Sequence, residues 1–335
     1  MLIPGQISGK NVLLRADLDV SVKEGRVTDP YRLETLLPTL KLCLKYAQSV
    51  ILIGHKGRPE VKNREDSLHP VKDWLERAIH QPICFIDSGF SPGEWQGSGH
   101  RFIMLENLRF HPGENNLSRE FARDLTPGRD LYLYEAFAAY RPSASLQIIP
   151  ELLPTLTGIQ FDREVETLGK ISKNPATPSL LIISGAKEDK LAFVDKFVDK
   201  FDEILVGGKL ASLVLRHANV IPASLTPDGL DIDSASITRF SEKIKIAQSI
   251  IVSGPPGKFE DNLHAAGTKA IFQAAKSSPA FTVVGGGDTL AAVKTLGFSY
   301  SDFDFVSTGG GAMLEFLATG THPLLSKLET YKQKR

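Results

Sequence analysis

The sequence predicts an α/β protein of two doubly wound parallel-sheet domains in series, joined by a hinge helix. Three observations carry that prediction. Apolar runs of about four to eight residues alternate with segments of helical periodicity, which is how parallel strands with crossover helices read. The alternation occurs twice, in two halves of similar architecture and unrelated sequence. The length, 335 residues, is also more than a single core of this kind usually holds.

In the first half the strand-like runs are NVLLRADLDV, SVILIGH, PICFID, RFIML and DLYLYEAF. Helices are predicted over Arg32–Tyr46, His69–His80 and Leu117–Leu125. In the first of these Leu33, Leu36, Leu37, Leu40 and Cys43 recur at helical spacing. The second half has strand-like runs SLLIIS, EILVGG, SIIVSG, FTVVGGG and DFDFVSTGGG. Its predicted helices lie in KLAFVDKFVDKF, KLASLVLRH, HAAGTKAIFQAAK, TLAAVKTL and AMLEFLATG. Between the halves, FDREVETLGKISKNPATP reads as a charged amphipathic helix and a proline-containing linker, either a hinge or a plain surface connection. The predicted division is a first domain over 1–160, a joining helix and linker over 161–178, a second domain over 179–318, and a tail over 319–335 packing back on the first domain.

Composition narrows the partners. Lys plus Arg equals Asp plus Glu, 39 each, so the net charge is zero and neither nucleic acid nor an anionic membrane surface is expected. The hydrophobic fraction of 42% suffices for a core in each half. Cys43 and Cys84 lie in apolar stretches without Cys or His at ligand spacing, and read as free thiols of a reducing compartment. The start, MLIPGQISGK, lacks a signal-peptide layout, and no run approaches the ~20 apolar residues of a membrane span. A cytoplasmic location is expected.

Ligands of open α/β sheets bind beyond the carboxyl ends of the strands. In the first half those ends deliver Asp17 and Asp19, His55 and Arg58, Arg109 and His111, and Arg141, and the helix after the first strand opens near Arg32. Singly, each reads as a solvated loop charge or a structural histidine. Recurrence at four strand ends of five points instead to a small ligand with more than one negative charge, which the planar fork of arginine suits.

In the second half every strand run leads into glycine: Ser184–Lys187, Gly207–Gly208, Gly254–Gly257, Gly285–Asp288 and Gly309–Gly311. Glycine lets backbone approach a ligand, and the following helix N-terminus offers free N–H groups and the positive end of a dipole. One such loop is an ordinary turn; five, two of them triple-glycine, indicate a nucleotide site. The P-loop pattern GxxxxGK[ST] and the protein-kinase HRD and DFG motifs are absent, and no GxGxxG follows the first strand. Asp288 is a candidate Mg²⁺ carboxylate, or simply a helix cap. Lys187 and Lys190 are candidates for neutralising phosphate, or solvated lysines.

Taken in order, these segments resemble the phosphoglycerate kinase family over nearly the whole chain. RADLDVSVKEGRVTDPYR is similar to the family's R-V-D-F-N-V-P segment and downstream arginine, GHKGRP to S-H-L-G-R-P, and MLENLRFH to LLENLRFH. EAFAAYRPSAS resembles D-A-F-G-T-A-H-R-A-H-A-S, SGAKEDK resembles G-G-A-K-V-x-D-K, VGGKLA resembles G-G-G-M-A, and SGPPGKFE resembles N-G-P-x-G-V-F-E. VVGGGDT and VSTGGGAMLEFL are almost unchanged.

The resemblance implies a monomeric glycolytic enzyme that transfers phosphoryl reversibly between ATP and the carboxylate of 3-phosphoglycerate, with Mg²⁺ as cofactor and ADP as the other nucleotide. It implies that Asp17, Asp19, Arg32, His55, Arg58, Arg109 and Arg141 hold the phosphoglycerate. Arg32 and Lys187 would steady the transferring group. Gly309, Gly310, Gly311, Gly286 and Gly287 would cradle phosphates. Gly185, Lys190, Gly207, Gly208, Ser253, Pro255 and Thr289 would complete the nucleotide site, with Glu260 at the ribose, Leu230 at the adenine and Asp288 at the metal. It also implies that two lobes close on their ligands.

The chain departs from the family pattern at several points. Asp19 stands where the family has asparagine, Lys209 and Asp233 where it has glycine, and Ser253 where it has asparagine. Lys187 and Lys190 are one residue closer than the family spacing, and the stretch between Val214 and Leu230 is short by several tens of residues. Three readings follow: a compact active kinase, an impaired relative that binds ligands or partners without turnover, and a kinase of another acid, suggested by Asp19.

Overall fold

A computed structural model describes residues 2–91, 93, 95, 99–215 and 217–333. The chain forms two compact units, Met1–Val165 with His322–Arg335, and Glu166–Thr321.

The strands of the first unit are β1 (Asn11–Arg15), the pair β2 (Val22–Lys23) and β3 (Arg26–Val27), β4 (Ser49–Ile53), β5 (Cys84–Ile86), β6 (Phe102–Leu105), β7 (Leu131–Tyr134) and β8 (Thr155–Thr157). Apart from the antiparallel β2–β3 hairpin they make one parallel sheet in the order β5-β6-β4-β1-β7-β8. The helix Tyr31–Tyr46 places Leu33, Leu36, Leu40 and Cys43 in one apolar core with Val12 and Leu14 of β1 and Val50 and Leu52 of β4. Strand alternation then turns Leu13 and Arg15 to the opposite face, which is also buried. Burial pushes the Cys43 thiol up to about 12, and both cysteines are free.

The second unit has β9 (Ser179–Ile183), β10 (Glu203–Val206), β11 (Val220–Pro222), β12 (Ser249–Ser253), β13 (Phe281–Gly285) and β14 (Phe305–Ser307), all parallel, in the order β11-β10-β9-β12-β13-β14. The chain runs outward in both directions from the β9–β12 pair, so the loops after these strands flank a topological switch point.

Differences from the predicted elements have local causes. KLASLVLRH is a 3₁₀ turn over Gly208–Ser212 instead of a helix, and its Leu213 and Leu215 are exposed. The helix Ser234–Ile246 is an addition; the Asp233 carboxylate caps it, accepting from Ser236 N at 2.7 Å. The boundary between units falls inside the helix Ile159–Lys173, so segment 161–178 is not a unit of its own, and residues 322–335 belong with the first unit. Among the described residues, no helix is long and apolar enough to cross a membrane.

The start of Ile159–Lys173 rests on a buried carboxylate. Glu135, just past β7, accepts from Gln160 N and Phe161 N, each at 3.0 Å, and from Thr39 Oγ1 at 2.5 Å. Burial outweighs these hydrogen bonds and raises its pKa from 4.5 to about 7. A carboxyl raised by folding stabilises below its unfolded value and loses that contribution as pH climbs through the folded one. Denaturant unfolding should therefore show Glu135→Gln gaining on the unaltered protein as pH rises from about 4.5 to about 7, on top of a constant cost from an NH₂ group facing Phe161 N. A difference independent of pH across that window would refute this role.

Candidate functional site

In the first unit the loops after β1, β4, β6 and β7 bring their cations to one edge of the sheet. Arg32, near the start of its helix, donates to Asp17 Oδ1 at 3.4 Å and to the Asp19 carbonyl at 2.6 Å. Asp17 is buried with Oδ2 lacking a hydrogen-bond partner, and burial raises its pKa against the opposing pull of Arg32. Asp19 Oδ1 accepts from Gly57 N at 3.0 Å, which offsets the carboxylate standing at this position.

His55 is buried, and its pKa lies well below 6.5, first through burial and then through the charges of Arg15, Arg109, Arg32 and Arg58. It is therefore neutral. A guanidinium nitrogen of Arg15 meets His55 Nδ1, and because arginine only donates, Nδ1 accepts and the ring proton sits on Nε2. Arg15 also bonds Ser145 Oγ at 3.1 Å, and Ser145 Oγ donates to Glu114 Oε1 at 2.6 Å.

Arg109 donates to the Gly57 carbonyl, and Asn107 ties the same two loops by bonding Lys56 O at 2.7 Å and Asp66 O at 2.9 Å. Arg58, Arg109 and Arg141 line a cavity of about 660 Å³ together with Glu60, Asn115 and Asn116. Among the described residues, no hydrogen bond or ion pair engages the guanidinium of Arg58 or Arg141. Cations held without anionic partners along one cavity make a site for a multiply charged anion.

His111 is the exception among the strand-end cations. Its Nδ1 accepts from Gly113 N at 3.0 Å, and its ring stacks on Phe121 at 4.3 Å, so it caps a short helix. Arg15, by contrast, is a candidate site residue that lies within β1 and not in the loop beyond it, and it contacts His55 and Ser145. Its signal was an arginine inside an apolar strand, a residue type rarely buried unless its donors are matched.

In the second unit the glycine loops stack on one another. A Cβ on Gly207 would meet Ser184 Oγ at 2.7 Å, one on Gly208 would meet the Gly185 carbonyl at 2.8 Å, and one on Gly310 would meet Gly286 Cα at 2.6 Å. Thr289 Oγ1 accepts from Gly254 N at 2.8 Å and donates to Gly285 O at 2.9 Å, joining the loops after β12 and β13. Pro255 is buried in the same row. The helices Gly287–Thr295 and Gly310–Thr319 begin after Gly286 and Gly309 without a side-chain cap. Gly309 N turns back to Ser307 Oγ at 3.3 Å, whereas Gly310, Gly311 and Gly287 open helices with N–H groups that no helical bond satisfies.

Lysines frame this row. Lys190 is mostly buried and donates to Ser184 O at 2.9 Å and Ser253 O at 3.2 Å, and burial lowers its pKa to about 8. The hydroxyls of Ser184 and Ser253 beside it are buried without hydrogen-bond partners. Lys187 and Asp288 are exposed and paired at 3.2 Å. Leu230 lies on a separate loop, where its carbonyl accepts from Lys258 N at 2.9 Å, and Glu260 follows on the same segment as an exposed side chain.

A parallel-sheet unit carrying an arginine-lined anion site, followed by a second with uncapped helix N-termini behind glycine loops, defines a two-unit α/β kinase of small acids. The sequence model of phosphoglycerate kinase matches residues 4–225 and 216–320, and the chain belongs to the phosphoglycerate kinase family. It is 31% identical to the phosphoglycerate kinase of Moorella thermoacetica over 378 aligned residues, covering 93% of this chain and 94% of that one. It is 32% identical to that of Salinispora tropica over 392, covering 98% of each. Among solved structures, phosphoglycerate kinase from Pyrococcus horikoshii superposes with a TM-score of 0.84 at 25% identity, and that from Coxiella burnetii with 0.78 at 26%, each covering 98% of both chains. The two family matches overlap at residues 216–225, within the Val214–Leu230 stretch that the sequence reads as short.

Proposed function

We propose that this chain is an active phosphoglycerate kinase that moves the terminal phosphoryl group of ATP reversibly onto the carboxylate of 3-phosphoglycerate. The observation that supports it most is the convergence of Arg15, Arg32, Arg58 and Arg109 on a neutral His55, with Arg141 across the adjoining cavity. Phosphoryl transfer needs in-line positioning and cancellation of charge more than a covalent catalyst, and this unit supplies cations. In our reading Arg58, Arg109 and Arg141 take the phosphate of the acid. Arg32 and the Nε2–H of His55 orient its carboxylate, while Asp17 and Asp19 fix Arg32.

We assign the nucleotide to the second unit. The amides of Gly310, Gly311 and Gly287 would take phosphate oxygens, and Lys190 would lend charge from beneath the loops. Lys187 would accompany the phosphoryl group in flight. The other loop residues, Gly185, Gly207, Gly208, Ser253, Pro255 and Thr289, would shape the floor. Leu230 would face the adenine and Glu260 the ribose.

Mg²⁺ fits the donor set. One exposed carboxylate, Asp288, stands at a helix start. That is the usual arrangement when Mg²⁺ arrives with nucleotide phosphates. When bound, the ion would offset phosphate charge, and Lys187 would be freed from its pairing with Asp288. We further assign the helix Ile159–Lys173 as the hinge, and the cytoplasm, glycolysis and a monomeric state as the setting. No finding favours the impaired reading.

The test is turnover of 3-phosphoglycerate with MgATP, followed by reductive trapping of the acyl phosphate coupled to NADH oxidation. The expected result is saturable turnover in both substrates, lost on chelation, restored by Mg²⁺ and abolished by Lys187→Ala. Folded protein that binds 3-phosphoglycerate without turnover would overturn the proposal.

A further inference from the structure

The loop bearing Leu230 is fastened by an ion clamp that the assigned chemistry does not use. His264 reaches Asp228 Oδ2 through Nε2 at 2.7 Å and Asp261 Oδ2 through Nδ1 at 2.9 Å, so both ring nitrogens face carboxylates. Both contacts are hydrogen bonds only when the ring is doubly protonated, since neutral imidazole has one donor only. The other carboxylate oxygen of Asp228 accepts from Leu230 N at 3.0 Å and from Thr226 Oγ1 at 2.6 Å. One aspartate thus links the histidine to the backbone of Leu230.

The following residue is anchored to the same partner segment. Asp231 is buried, and its Oδ2 accepts from Gly267 N at 2.8 Å. Lys258 N donates to the Leu230 carbonyl at 2.9 Å. The loop over 226–231 is therefore sewn to residues 258–267 at three points, and the one that pairs two side chains is His264 with Asp228. This loop lies just past the overlap of the two family matches at residues 216–225.

We propose that His264 is a positioning residue for the nucleotide base: as a cation bridging Asp228 and Asp261 it holds Leu230 against the segment that carries Glu260, and its deprotonation loosens the base site. The proposal rests on the assignment of the nucleotide to this unit. The charged groups around the ring are Asp228 and Asp231 on the opposite loop, and Asp261 and Lys258 on its own segment. The aspartates Asp228 and Asp261 raise its pKa above 6.5, chiefly through the two hydrogen bonds. Sign follows directly: the clamp is complete below the usual histidine range and opens as pH rises through the raised value.

The test is binding of MgADP to the whole chain, with 3-phosphoglycerate binding measured alongside, at about pH 5.5 and about pH 9. Unaltered protein and His264→Gln are compared, because titration of the nucleotide's own phosphate cancels in their ratio. The expected ratio is about fivefold or more in favour of His264 at the lower pH and near one at the higher, the range typical of coupling between sites. Asp228→Asn should reproduce the loss, and 3-phosphoglycerate binding should not change. A ratio that does not vary with pH would show the clamp to be structural only and overturn the proposal. Absence of MgADP binding at both pH values would overturn the nucleotide assignment together with it.

Discussion

Arg32→Ala is expected to lower kcat/KM for phosphoglycerate turnover by about a thousandfold, the scale seen when a cation matched to transferring charge is removed. Two effects add. The first is loss of a charged fork beside the proposed acyl acceptor. The second falls on Asp17, which is buried, has one oxygen unpartnered, and has Arg32 as the foremost influence opposing its protonation. Without Arg32, burial drives Asp17 toward the neutral acid, and the loop that carries Asp19 loses its 2.6 Å bond from the guanidinium. Arg32→Lys keeps the charge but not the fork, and should fall between. Steady-state kinetics with both acid and nucleotide varied, beside a melting curve, checks this. Loss smaller than tenfold in folded protein would remove Arg32 from the chemistry.

Gly254→Ala is expected to destabilise the second unit by about 3 kcal/mol or more and to abolish nucleotide binding, while 3-phosphoglycerate still binds to the first. Gly254 has φ +101°, and a Cβ there would stand 2.0 Å from the Ser184 carbonyl and 2.7 Å from Lys190 Nζ. The carbonyl belongs to the backbone just past β9 and cannot step aside. Displacing it would break the Lys190–Ser184 bond and pull Gly254 N from Thr289, so the loops after β9, β12 and β13 would shift together. Thermal denaturation combined with calorimetric titration of each ligand separates the two units. Retention of nucleotide affinity would show that the row tolerates rearrangement.

These expectations show which features could be read from the sequence. Central strands were legible because both faces are buried: NVLLR, SVILI, SLLII and SIIVS are apolar almost throughout. Two of the four edge strands were not. Thr155–Thr157 is half-buried, and Val220–Pro222 ends in a proline, so neither gives an apolar run. The helix Ser234–Ile246 buries only Ser236, Phe240 and Ile244 and announced itself mainly through its Asp233 cap, which a search for apolar runs passes over. At the site, Arg58, Arg109 and Arg141 were visible as strand-end charges, and the structure brings them to one cavity. Arg15 was hidden because it lies within β1, where its partners Ser145 and His55 are distant in sequence. The glycine loops were legible as a set, but that they pack on one another depends on strand order.

The path of the chain has a consequence for how the molecule is made. Residues 322–335 belong to the unit formed by the first 165 residues, so the second unit is, in sequence, one uninterrupted insertion into the first. During synthesis from the amino end, the stretch 166–321 is whole before the last segment of the first unit exists. The half that begins first is completed last. That closing segment docks through His322, buried against Phe137 and Phe161, through the buried Leu324 and through the Lys327–Glu151 ion pair. A nascent chain can thus hold a finished second unit while the first still lacks a piece.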